Sequence, residues 1–141
     1  MKTICYIAFF LLIAAGACWA EDVVLVTHPN NQINSLKMQE VKNIFLGKKS
    51  SWADGQNIVV FIQQDNGATT TFSKEYLSKS SQQFFTYWKK ALFTGTGNPP
   101  IILGNDSEMK AFISAKTSSI GYISSDALDG SVKELKIIDK D

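Results

Sequence analysis

The chain has 141 residues with 14 lysines, no arginine and 13 acidic residues, and 45% of it is hydrophobic. The formal net charge of +1 excludes a basic track along a nucleic-acid backbone, so no nucleic-acid partner is expected. With one histidine, His28, no cluster of histidine ligands can form and no nucleophile pairs convincingly with a base, so neither an enzyme nor a cofactor is expected.

Residues 1–20 combine Lys2, an apolar run over residues 4–17 and a small-residue exit at Ala20, followed by Glu21 and Asp22. This pattern predicts a secretory signal peptide cleaved near Ala20 and a periplasmic or secreted mature chain. The run falls short of the ~20 residues a membrane span needs. A competing reading is a lipid anchor on Cys18, which follows Ala15, Gly16 and Ala17. Both cysteines, Cys5 and Cys18, precede residue 21, so residues 21–141 are expected to fold as one domain without a disulfide.

From residue 23 the apolar run Val23-Val24-Leu25-Val26 predicts a buried strand that runs into a loop at Pro29. A helix is expected after Ser35 as cap, carrying Leu36, Val41, Ile44 and Phe45 and ending at Gly47. Trp52 to Gly55 reads as a turn. Ile58 to Ile62 is apolar throughout, which predicts an inner strand covered on both faces. Two helices should follow, one with Phe72, Tyr76 and Leu77, the other starting near Ser80 or Ser81 with Phe84, Phe85, Trp88, Leu92 and Phe93. Gly95 to Pro100 is a connection. Asn105 predicts a cap before an acidic helical turn, with Met109, Phe112 and Ile113 inward. Ser119 to Ile123 and Val132 to Ile138 complete the strands, and strands separated by helices imply an α/β layer structure.

The loop from Gln63 to Thr71 carries the candidate chemistry. It lies between a buried strand and a helix, so its amides and the hydroxyls of Thr69 and Thr70 would gather at a helix N-terminus, which attracts anions. The competing reading makes Asp65 or Asn66 an ordinary cap and the threonines first-turn residues. His28 is a loop residue or lines a pocket after the first strand. Asp106 and Glu108 read as helix-start charges.

The succession of Val23 to Val26, Ile44-Phe45-Leu46-Gly47-Lys48 with Trp52, Asp65 to Phe72, Gly104, and Ser119-Ile120-Gly121-Tyr122-Ile123 resembles the phosphate-binding protein of bacterial phosphate ABC transporters. The resemblance spans roughly residues 23–125 and corresponds to one lobe of a two-lobed protein. It implies an α/β fold: a single lobe of the type 2 periplasmic-binding-protein-like kind, with a mixed β-sheet flanked by helices. The strands at Val23 to Val26 and Ile120 to Ile123 would be neighbouring hinge strands, and Val132 to Ile138 would cover an edge.

The resemblance also implies a phosphate grip built from an arginine, an aspartate and a Ser-Gly-Thr segment. Gln63 stands at the arginine position, Asp65 at the aspartate, and Gly67, Ala68 and Thr69 at the segment, with Thr70 as a further hydroxyl. Thr27 and His28, after the first strand, complete the candidate ligand-binding residues. Charge-assisted hydrogen bonds contribute about 1.5–3 kcal/mol each, so Gln63 in place of the cation predicts weak binding. The expected function is weak binding of phosphate or another small anion in uptake or sensing, with a membrane or periplasmic protein partner. The alternative is a protein-interaction module that keeps the fold without the ligand.

Overall fold

The computed structural model describes residues 22–139. The predicted signal peptide, Cys5 and Cys18 lie outside the described residues. Among the described residues six strands form one mixed sheet: β1 (Val23–Thr27), β2 (Ser35–Leu36), β3 (Val59–Gln63), β4 (Ile101–Leu103), β5 (Ser119–Ser124) and β6 (Lys133–Ile137), in the order β2-β6-β1-β5-β3-β4. β1 runs antiparallel to both β5 and β6, while β3 is parallel to β4 and β5. The expected pairing of the first strand with the Gly-Tyr strand is thus present, and the last strand lies along the other side of β1.

Among the described residues four α-helices cover the sheet: α1 (Met38–Phe45), α2 (Gly67–Leu77), α3 (Ser81–Thr94) and α4 (Asp106–Ser114). Successive strand residues point to opposite faces, and both faces are filled. On one, Leu25, Ile62, Ile120 and Tyr122 pack against Phe45 of α1, Phe72 and Tyr76 of α2, and Phe84 and Trp88 of α3. On the other, Val26, Phe61 and Ile123 pack against Met109 and Ile113 of α4. This two-sided burial is why β1, β3 and β5 read as continuous apolar runs. Gly121 of β5 lets α4 approach, because a Cβ there would stand 2.4 Å from Met109 Sδ.

The first helix ends as its sequence predicts. Gly47 takes φ +76° beyond it, and an added Cβ would meet the Trp88 ring at 2.7 Å. Aromatic groups of α3 satisfy its terminal carbonyls, with Trp88 Nε1 donating to Phe45 O at 3.1 Å and the Tyr87 hydroxyl to Leu46 O at 2.6 Å.

Two expectations are corrected, and one strand is added. Ser35 does not cap α1 and Leu36 is not part of it: both lie in β2, paired with Lys136 and Ile137 of β6. The helix starts after Lys37, where the Asp139 carboxylate accepts the Met38 amide at 2.6 Å. Phe112 is half-exposed rather than inward, its ring lying edge-on to Phe61 at the margin of the sheet. β4 is an additional strand, hidden in the sequence because it has three residues and follows Pro99 and Pro100.

Candidate functional site

The residues of the polar loop gather at the carboxyl ends of β3 and β5, the side of an open α/β sheet where ligands bind. Here α2 and α4 begin side by side. Asn66 caps α2, its Oδ1 accepting the Thr69 amide at 2.9 Å, and Asn105 caps α4 through the Glu108 amide at 2.9 Å. Between the two starts lies a cleft of about 240 Å³ lined by Gln63, Asn66, Gly67, Ala68, Asn105, Asp106 and Ser124. That is smaller than the roughly 300–1,000 Å³ of drug-sized pockets and suits a ligand of a few heavy atoms.

Gln63 is buried to 1% exposure and shapes the cleft from beneath. Its Nε2 donates to Asp106 Oδ1 at 2.7 Å and to Tyr122 O at 3.0 Å, while its Oε1 accepts from Asn66 Nδ2 at 2.9 Å. The amide therefore ties the starts of α2 and α4 to β5. Asp106 Oδ1 also accepts the Ser124 amide at 3.2 Å. The Ser124 hydroxyl is different: it is buried and has no hydrogen-bond partner. A buried polar group left unpaired is rare and costly; among the described residues the Ser73 hydroxyl of α2 shares this state, but only Ser124 lines the cleft.

The electrostatics of the cleft are nearly neutral. Each helix N-terminus is equivalent to about +0.5 charge, no lysine lines the cleft, and the Asp106 carboxylate sets a negative charge against the two. Beneath the site, Tyr122 is stacked on Phe72 with ring centroids 4.1 Å apart, and burial pushes its hydroxyl pKa up to about 12. That hydroxyl accepts the Gln63 amide at 3.0 Å and lies 2.6 Å from Thr69 Oγ1. Since Thr69 Oγ1 donates to Gln64 O at 2.7 Å, the Tyr122 proton goes to Thr69.

The candidate residues are thus divided. Gln63, Gly67 and Ala68 line the cleft. Thr69 opens the same helix but is fully buried, its hydroxyl held in the network under the cleft. Thr70 is exposed, and its hydroxyl donates to Asn66 O at 3.0 Å. Asp65 is exposed in the preceding bend. Thr27 and His28 are not brought to this place. Thr27 pairs with Ile120 at the opposite end of β5, donates to Ser119 O at 2.7 Å and is completely buried. His28 Nδ1 accepts the Asn30 amide at 3.0 Å within its own loop.

Asn66, Asn105, Asp106 and Ser124 are the lining residues that sequence reasoning passed over as ligand groups. The two asparagines carried a usable signal, since each follows a strand and precedes a helix. Larger recesses lie elsewhere, one of about 310 Å³ against Trp88, one of about 450 Å³ among Thr70, Lys74, Ser78, Lys79 and Ser80, and one of about 550 Å³ beside β6. The second includes Ser80, the cap of α3, whose hydroxyl already accepts the Gln83 amide, and none of the three is lined by an unpartnered buried hydroxyl. Among the described residues no cluster of His, Cys, Asp and Glu could hold a metal ion, and no helix is long and apolar enough to cross a membrane.

A family profile described as PBP superfamily domain matches residues 17–137. The chain belongs to this family. Solved structures share the fold of this PBP-superfamily domain. One is a putative phosphate ABC transporter substrate-binding protein with bound phosphate from Clostridium perfringens, at TM-score 0.65 and 24% identity, covering 82% of this chain and 44% of that one. Another is an ABC-type phosphate transport receptor from Vibrio cholerae, at TM-score 0.59 and 18% identity, with 85% and 47% covered. A third is PstS from Borrelia burgdorferi, at TM-score 0.63 and 14% identity, with 85% and 48% covered. This PBP-superfamily domain therefore spans less than half the length of those chains, and the type 2 periplasmic-binding-protein-like fold is the property it shares with them. No match was found among curated proteins.

Proposed function

We propose that this domain is an exported binding module that holds a small oxyanion, phosphate being the leading candidate, weakly in the cleft between α2 and α4, in uptake or sensing. The observation that carries the reading is the unpartnered Ser124 hydroxyl in a cleft formed by two helix N-termini. Free amides and the helix dipoles favour an oxyanion there. The relatives named for phosphate transport support the choice of phosphate among oxyanions.

Weak affinity follows from the groups present. Gln63 contributes no charge, and its amide is already committed to Asp106 and Tyr122. Asp106 opposes a second negative charge. Gly67 and Ala68 offer backbone but no hydroxyl, so the ligand contacts are amides plus Ser124. The leader over residues 1–20 supports export, with cleavage near Ala20 and the domain occupying residues 21–141.

Calorimetric titration with phosphate, sulfate and small carboxylates tests the proposal. Millimolar binding of at least one oxyanion is expected, weakened about tenfold in Ser124→Ala, the loss of a charge-assisted hydrogen bond. Silence across the panel contradicts it. Thr69→Val does not serve as a ligand test, because it removes a hydroxyl from the network beneath the site.

A further inference from the structure

The two sides of the cleft between α2 and α4 carry opposite signs. On one side α2 starts without an acid in its first turn, and the amides of Gly67 and Ala68 find no acceptor among the described residues. On the other side stands Asp106. Its Oδ1 accepts from Gln63 Nε2 at 2.7 Å and from Ser124 N at 3.2 Å, and its Oδ2 has no partner among the described residues. The salt bridges among those residues join Lys49 to Glu40 and Lys110 to Asp129, so no lysine answers Asp106.

The Gln63 amide fixes the distance between the two signs. Its Nε2 holds Asp106 while its Oε1 holds Asn66, the cap of α2, at 2.9 Å, so the poles are separated by one amide group and a hydrogen bond at each end. Both hydrogens of Nε2 are used, the second on Tyr122 O, and the side chain is buried. The spacing is therefore set by the chain itself. Beside Asp106, the Ser124 hydroxyl lines the cleft at 7% exposure without a partner.

A plain oxyanion uses one pole only. It gains the α2 amides and Ser124, and it meets the Asp106 charge as a repulsion. We propose, resting on the oxyanion reading of the cleft, that its ligand carries both charges: a small aminoalkyl oxyanion, with a phosphonate or carboxylate end on the α2 amides and Ser124 and a primary ammonium on Asp106 Oδ2. The ammonium turns the repulsion into a charge-assisted hydrogen bond, about twice as strong as a neutral one. A quaternary ammonium has no N–H to give and forgoes that bond. The cleft of about 240 Å³ suits two such end groups joined by a short alkyl chain, each reaching its own pole.

Calorimetric titration of the full purified chain with matched pairs tests this: ethylphosphonate against aminoethylphosphonate, and propionate against β-alanine. The amino member should bind at least about tenfold more tightly than its partner. A gain in one pair alone supports the proposal and identifies the oxyanion end. Asp106→Asn should abolish the preference, because the plain anion gains affinity and the amino compound loses it. The wild-type pairs decide the matter even where that variant fails to fold. Equal affinity within both pairs, or tighter binding of the amino-free members, overturns the proposal and leaves the oxyanion reading standing. So does a preference that survives in folded Asp106→Asn. Phosphatidylethanolamine vesicles carry the same two charges in a lipid headgroup, and affinity for them without affinity for the free compounds also overturns it. Silence from both pairs and from phosphate overturns the oxyanion reading as well.

Discussion

α2 and α4 each follow a strand of the same sheet, and each starts from an asparagine whose Oδ1 accepts the amide three residues on. Their first turns nevertheless differ. α4 carries Asp106 and Glu108, and both acids are used within the chain: Glu108 Oε2 accepts the Gly104 amide at 2.6 Å, and Asp106 Oδ1 accepts Ser124 N and Gln63 Nε2. α2 has no acid in its first turn and begins with Gly67 and Ala68. One helix start is supplied with negative charge from its own sequence; the other is left open. Helix N-termini favour negative charge, and of these two starts α2 alone leaves that preference unanswered by an acid of its own first turn.

The largest effect is expected from the residue beneath the cleft. Tyr122→Phe leaves the Gln63 amide and the Thr69 hydroxyl without a shared partner, at a cost of about 2 kcal/mol in urea unfolding. The wild-type hydroxyl also gives a pH signature. Burial raises its pKa from 10.0 to about 12, so the unfolded chain loses this proton first. Its contribution is intact below pH 10 and falls away as the pH rises through 12; in the Phe variant that part of the decline is absent.

Next in size are the caps. Asn66→Ala and Asn105→Ala should each cost about 1 kcal/mol. Asn66→Ala costs the more, because Asn66 Nδ2 also holds Gln63 Oε1. Equal losses would remove the distinction between the two starts. Asp106→Asn sharpens it. The single atom Oδ1 makes both hydrogen bonds, so an amide keeps them and deletes only the charge. Oxyanion affinity should rise about tenfold, or ~1.4 kcal/mol, by calorimetry. The smallest effect lies away from the cleft. Lys110, 2.8 Å from Asp129, holds that carboxyl below the usual range, and Lys110→Ala should raise its titration in an NMR pH series while leaving the cleft unchanged.

Much of this fold was legible because both faces of the sheet are buried. Val23 to Val26, Ile58 to Ile62 and Ser119 to Ile123 carry continuous apolar runs for that reason. β4 was not legible, since a three-residue edge strand with two exposed isoleucines has no such run. The loop opening α2 was recognisable, yet the direction of each side chain was harder to read. Thr69 shares its helical stripe with Phe72, Ser73 and Tyr76, all buried, and this spacing was the available sign that its hydroxyl faces the core. Asp106 resembled any helix-start acid. Its bond to Gln63, 43 residues earlier, depends on the register of β3, β4 and β5, which no local pattern encodes.

The open start of α2, with Ser124, is proposed to hold a small oxyanion. Amide chemical-shift mapping during a phosphate titration tests it most directly. Saturable millimolar shifts are expected at Gly67, Ala68 and Ser124, with higher affinity for Asp106→Asn and lower affinity for Ser124→Ala. No saturable shift at these amides, or shifts confined to another surface, would contradict it.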